Sequence, residues 1–274
     1  MKRSLVLLCA LIVFGCIGAE AQNRTLEKGL ELKMPRTLDD DMPGTRGASV
    51  CWNPANKKYY AVFAGNASFP LGVFSVEGKL LSSDELSAEQ DVRGLWYNPV
   101  TKKISGNGYN TTGWFSYELD KDGIPKSATV DFPGMNQPDE QSVGACVPPA
   151  KSICFLNKGK ISFYDMADGS PTGSIPIHWG RKKSEGPADD ENDENKNADY
   201  NTTTLIYTGI KGAEIGLLNK TVSQIELYNI ADGFLSQKLI LPETAKLEGF
   251  FNFAFANGIY WLFDIENRVW IGYK

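Results

Sequence analysis

Gly72-Val73-Phe74-Ser75-Val76 is the stretch on which the fold turns, because its pattern returns four times. The copies are Gly113-Trp114-Phe115-Ser116-Tyr117, Lys160-Ile161-Ser162-Phe163-Tyr164, Gln224-Ile225-Glu226-Leu227-Tyr228 and Arg268-Val269-Trp270-Ile271-Gly272. Short apolar runs recurring about every 45 residues between turn residues mark one supersecondary unit repeated in a stack or a ring. For units made only of strands, the most economical such arrangement is a β-propeller.

Working outward from Phe74, residues 48–52 read as an inner strand, Asn53-Pro54-Ala55-Asn56-Lys57 as a turn and residues 59–64 as a second strand. Gly78 then turns the chain into a short outer strand over 79–82. The next unit copies this layout in Gly94-Leu95-Trp96-Tyr97-Asn98-Pro99-Val100-Thr101-Lys102-Lys103, including the Asn-Pro turn and the paired lysines. The third unit shortens that turn to Pro148-Pro149-Ala150-Lys151. The third and fourth close their third strands on Ala167-Asp168-Gly169 and Ala231-Asp232-Gly233, where Asp-Gly supplies a tight turn.

The fifth unit has only three strands, over 251–256, 259–264 and 268–273. An isolated alternating run from Leu30 to Met34 has no unit of its own. An open strand edge leaves backbone donors and acceptors unpaired, so the two irregularities resolve each other. The expectation is an all-β, five-bladed β-propeller closed by an N-terminal strand that completes the last blade. Runs such as Gly249-Phe250-Phe251-Asn252-Phe253-Ala254-Phe255 lack polar alternation, as strands covered on both faces require.

All-β assemblies of about 200–250 residues commonly form one domain, so residues 22–274 are expected to be a single propeller domain. Lys2 and Arg3, the apolar run from Leu5 to Gly15 and Ala19-Glu20-Ala21 read as a signal peptide over 1–21, placing the protein in a secreted or periplasmic location. The alternative is a membrane-anchored lipoprotein, because Val13-Phe14-Gly15-Cys16 is similar to a lipobox with Cys16 as its lipidated residue. No later stretch approaches the roughly 20 apolar residues of a spanning helix, and a net charge of −5 disfavours nucleic acid as a partner. A monomer is expected. Residues 181–199, dense in charge and poor in apolar side chains, read as an acidic mobile insertion.

Loops leading into the inner strands converge at one mouth of a propeller channel, and here they carry Arg46, Asp91, Arg93, Asp139, Glu140 and Glu248. Four of the five segments end in glycine. One reading is structural: glycine lets backbones approach near the axis, and Arg46 or Arg93 pairs with Asp139, Glu140 or Glu248. The other is functional: the same charges hold a polar ligand, with Trp96 or Tyr97 as an aromatic wall. A glycoside hydrolase would need two of Asp91, Asp139, Glu140 and Glu248 about 5–10 Å apart.

His178 is the only histidine, which excludes multi-histidine metal sites, and it is expected at the end of an outer strand away from the channel. No phosphate loop precedes a helix, and the acidic run over 189–199 lacks the glycine and terminal glutamate of an EF-hand, so no cofactor or metal is expected. Cys146 and Cys154 bracket a hairpin and are either a disulfide or small buried side chains. Asn23, Asn66, Asn110, Asn201 and Asn219 begin glycosylation sequons.

Ile161-Ser162-Phe163-Tyr164-Asp165-Met166-Ala167-Asp168-Gly169 and Ile225-Glu226-Leu227-Tyr228-Asn229-Ile230-Ala231-Asp232-Gly233 resemble the third strand and following turn of bacterial extracytoplasmic propellers related to YVTN, NHL and WD40-type repeats. The resemblance covers nearly the whole chain and implies architecture. The Gly-His and Trp-Asp pairs of WD40 repeats are absent, so that family's partners do not carry over. Hydrolases, lectins and scaffolds share the fold. The expected function is a non-enzymatic binding or scaffold propeller engaging a protein or carbohydrate ligand at the channel mouth, the alternative a carboxylate-dependent glycoside hydrolase.

Overall fold

Five sheets arise from the five repeats in a computed structural model, which describes residues 23–36, 45–186 and 197–274. The first two strands, β1 (Asn23–Thr25) and β2 (Lys28–Lys33), belong to the last two blades. Blade one is β3 (Arg46–Asn53), β4 (Lys58–Ala64) and β5 (Leu71–Phe74). Blade two is β6 (Val92–Tyr97), β7 (Ile104–Gly108), β8 (Trp114–Leu119) and β9 (Pro125–Phe132). Blade three is β10 (Ala145–Val147), β11 (Ser152–Asn157), β12 (Lys160–Asp165) and β13 (Pro171–Pro176).

Blade four is β14 (Ile206–Tyr207), β15 (Ile215–Asn219), β16 (Gln224–Tyr228) and β17 (Leu235–Ile240). Blade five is β18 (Phe253–Ala256), β19 (Ile259–Asp264) and β20 (Val269–Tyr273), completed by β2. The inner strands touch in the sequence β3, β6, β10, β14, β18 and back to β3, so the ring is closed. Among the described residues no helix is long and apolar enough to cross a membrane.

The N-terminal strand closes the last blade as expected. β2 runs antiparallel to β20, with Leu32 opposite Trp270 and Glu31 opposite Ile271. Leu32, Phe263 and Trp270 have no exposed surface and form one cluster with Phe63 and Val50 of blade one, so closing the ring buries large apolar area where first and last blades meet. β1 was not foreseen. It pairs in parallel with β17, Arg24 opposite Leu239, and gives blade four a fifth strand. Its three residues are all exposed, so no apolar alternation announces it. Leu26, buried between β1 and β2, ties the segment to the core shared by blades four and five.

Two expectations need correction. The outer strand over 79–82 is reduced to a bridge between Phe74 and Leu80, because the Ser82 hydroxyl accepts the Val73 N–H (3.1 Å) in place of a backbone carbonyl. The strand expected over 251–256 begins at Phe253, since Phe251 and Asn252 take left-handed conformations at φ 50° and 57°. Of the segment expected as an insertion over 181–199, the flanks 181–186 and 197–199 are described. The Arg181 carbonyl accepts the Leu235 N–H (2.8 Å), Lys183 pairs with Asp232 (2.9 Å), and residues 187–196 lie outside the described residues.

The described cysteines, Cys51, Cys146 and Cys154, are free thiols, and Cys16 with the expected signal peptide lies outside the described residues. Ala145 stands opposite Cys154 and Cys146 opposite Ile153, so the two cysteines are one position out of register and point to opposite faces of the sheet. Cys154 packs toward blade four and Cys146 toward blade two. A bridge between them would require the hairpin to slip.

Candidate functional site

Buried amides fix the chain where it turns into the inner strands. Asn107 donates to the Gln137 side-chain carbonyl (2.6 Å) and the Ser142 carbonyl (2.8 Å), and accepts the Gly144 N–H (3.1 Å). Asn201 donates to the carbonyls of Glu248 (3.1 Å) and Phe251 (2.7 Å) and accepts the N–H groups of Thr203 and Thr204. The Gly47 N–H donates to the Asn252 side chain (2.7 Å). Each amide links one blade to the next, and a polar group this deeply enclosed stabilises only when its partners are present. Asn201 and Asn219 are buried, so these two sequons are structural, whereas Asn23, Asn66 and Asn110 are exposed. A Cβ on Gly94 would lie 2.6 Å from the Gly144 nitrogen, which bears out close backbone packing between β6 and β10; Gly249 has no such crowding.

Arg93 is spent inside the wall. Its guanidinium donates to both Asp91 carboxylate oxygens, the contact to Oδ1 being very close and that to Oδ2 3.4 Å. Nε donates to the Gln141 side chain (2.8 Å) and Nη1 to the Val92 carbonyl (3.1 Å). The guanidinium lies 4.6 Å from the Tyr109 ring centroid and 5.6 Å from that of Phe251. Asp91 also accepts the Gly65 N–H (2.8 Å). The arginine therefore pairs with Asp91, not with Asp139, Glu140 or Glu248. Arg93 is the extra residue of the β-bulge between Val92 and Gly94, and its contact with Asp91, two residues earlier, needs no help from another blade.

The mouth where the inner strands begin, here the upper mouth, opens into a cavity of about 610 Å³. Its wall includes Arg46, Asp139, Gln141, Lys158, Thr202 and Phe250, with Phe251 also lining it. Arg46 is exposed, and among the described residues no carboxylate lies within 4.0 Å of it. Asp139 accepts the Gln141 N–H (2.9 Å) on one oxygen. Glu140 stands outside the lining, and its neighbouring carboxylate raises the pKa of Tyr109. Glu248 also stands outside it and offers its backbone carbonyl to Asn201. Arg46 and Asp139 are thus the expected residues that the cavity brings together. Among its described residues Asp139 is the one carboxylate.

Lys158, Thr202 and Phe250 were not foreseen. Lys158 occupies the turn between the second and third strands of blade three, and in an antiparallel blade that turn lies on the same side as the start of the first strand. The repeat pattern therefore contained the signal for Lys158.

A second cavity of about 320 Å³ occupies the lower mouth, where the inner strands end. Half-buried Trp52, Tyr97, Tyr207 and Phe255 line it with Cys146, and none of its lining side chains is charged. Tyr97 thus sits at the opposite end of β6 from Arg93, and Trp96 is buried against Trp114 (ring centroids 5.6 Å). Neither forms an aromatic wall beside the arginines, because a strand of this length separates the two ends by roughly 3.3 Å per residue. His178 stacks on Phe234 (3.9 Å) and lines neither mouth.

Burial raises the Cys146 thiol to about 12 and raises Cys51 and Cys154 as well. In the folded protein an alkylating reagent should therefore modify Cys146 slowly at neutral pH, with the rate rising roughly tenfold per pH unit below that value. Cys51 and Cys154 should label only on unfolding. Peptide mass mapping across a pH series checks both; a rate flat from neutral to alkaline pH contradicts the placement of Cys146.

No family model matches the chain, and no curated protein matches it. Among solved structures it is similar to the crystal structure of Myxococcus xanthus glutaminyl cyclase, with a TM-score of 0.57 at 9% identity, covering 93% of this chain and 98% of that one. At this identity the likeness concerns the fold.

Proposed function

We propose that this protein is an exported, non-enzymatic binding propeller whose upper mouth holds a polar carbohydrate or protein ligand bearing an acidic group. The observation that carries the reading is the composition of the upper cavity. Arg46 and Lys158 face one carboxylate, Asp139, among amides and hydroxyls. Among the described residues of the wall two cations stand with one acid, an excess of positive charge that favours an anion. A glycoside hydrolase acting with two carboxylates has one among the described residues of this wall, because Asp91 is neutralised by Arg93 and Glu140 and Glu248 stand outside. The likeness to a glutaminyl cyclase supports the architecture, and the residues around the cavity carry the rest.

A glycan and peptide array, followed by calorimetric titration of the best ligand, tests the reading. Arg46→Gln should weaken an acidic ligand about tenfold, since hydrogen bonds to charged groups contribute about 1.5–3 kcal/mol, and leave its uncharged analogue unaffected. Chromogenic glycosides and a glutaminyl cyclase assay should show no turnover. Turnover abolished by Asp139→Asn would replace binding with catalysis as the function.

A further inference from the structure

Phe250 is a large apolar side chain standing 53% exposed on the wall of a polar cavity. The two residues after it, Phe251 and Asn252, both adopt left-handed backbone (φ 50° and 57°). A bulky side chain disfavours this region, and consecutive non-glycine residues persist there only where surroundings over-determine them. The surroundings here do so. The Phe251 N–H donates to the Thr203 hydroxyl (2.8 Å), and Asn201 donates to the Phe251 carbonyl (2.7 Å). The Thr202 N–H donates to the Gly249 carbonyl and the Asn252 N–H to the Gly47 carbonyl (2.9 and 2.8 Å). Blades four and one therefore clamp the segment from both sides. The clamp sets Phe251 beside the Arg93 guanidinium and leaves Phe250 on the cavity wall with about half of its surface exposed.

We infer that Phe250 is a fixed stacking platform and that the ligand of the upper mouth is an acidic saccharide, a pyranose bearing a carboxylate. The inference rests on the binding function proposed above and names its ligand class. A pyranose has an apolar C–H face suited to an aromatic ring and an edge of hydroxyls suited to amides and hydroxyls. The ring at Phe250 meets the first requirement, and Gln141, Asn157 and Thr202 meet the second. Arg46 and Lys158 supply charge-assisted donors for the carboxylate. Asp139 has one oxygen engaged by Gln141 N–H and the other available to neighbouring sugar hydroxyls. Holding the platform rigid before the ligand arrives lowers the ordering cost of binding.

The test is calorimetric titration of the full-length mature protein with oligogalacturonate and with its fully methyl-esterified form. The acid should bind at least tenfold tighter than the ester. Phe250→Ala should weaken both about tenfold, and Phe250→Trp should retain binding. Arg46→Gln should erase the preference for the acid without weakening the ester. Phe250 is exposed, so unchanged thermal melts should accompany each variant. If Phe250→Ala binds as the parent does while Arg46→Gln weakens the acid, the platform is wrong and the anion-binding mouth stands. If both oligosaccharides fail to bind while another acidic array ligand binds in an Arg46-dependent way, the saccharide class is wrong and the binding function stands. If no array ligand depends on Arg46, both fall.

Discussion

Trp270→Ala should destabilise the protein by about 4 kcal/mol, the range for a large aromatic deleted from a packed core. Trp270 has no exposed surface, lies opposite Leu32 of the N-terminal strand, and contacts Phe263 at 5.2 Å between ring centroids. A Cβ on Gly47 would collide with its indole, so blade one rests directly on it. The residue therefore joins the first strand of blade one, the last blade and the closing strand. With total stability commonly about 5–15 kcal/mol, such a loss removes a large fraction of it. Trp270→Phe should cost much less, because the indole N–H is buried without a hydrogen-bond partner and its removal leaves nothing unpaired. Urea unfolding of the three proteins is the check. A midpoint for Trp270→Ala within error of the parent would show that the ring is held elsewhere.

Asp91→Ala should cost about 3 kcal/mol, for a different reason. Arg93 is 4% exposed, and Asp91 supplies its counter-charge. Removing one member of a buried pair leaves the other charge uncompensated in a poor solvent, which is more damaging than removing both. The Gly65 N–H loses its acceptor in the same substitution. The double variant Asp91→Ala with Arg93→Met should accordingly be more stable than Asp91→Ala alone. Thermal unfolding of the two variants decides. Equal losses would mean that the guanidinium is adequately supported by Gln141, Val92 and the rings of Tyr109 and Phe251.

The blades were legible because their strands repeat a pattern that burial on both faces imposes, and because the missing strand of the fifth unit had one matching run. β1 escaped because a short exposed parallel strand leaves no periodic trace. Phe251 escaped because nothing in a run of aromatics reveals that it and the adjoining Asn252 have left the extended conformation. At the site, the convergence of Arg46 and Asp139 followed from topology. The partner of Arg93 did not, since local pairing with Asp91 competes with every cross-blade pair and only geometry decides between them. Tyr97 was assigned to the wrong mouth although it ends the strand that Arg93 begins, and the length of that strand sets the two apart.

The upper mouth exists only if five inner strands close around one axis, and the register of β2 against β20 is what closes them. Cysteines introduced as Glu31→Cys and Ile271→Cys would occupy directly opposed positions. Opposed antiparallel Cα atoms lie roughly 4.5–5.5 Å apart, within the span a disulfide tolerates. Mild oxidation followed by non-reducing peptide mapping should find the 31–271 bridge in nearly every molecule and the three native thiols still free. An absent bridge, or one formed as readily by Lys33→Cys with Ile271→Cys, would contradict the closure and with it the site.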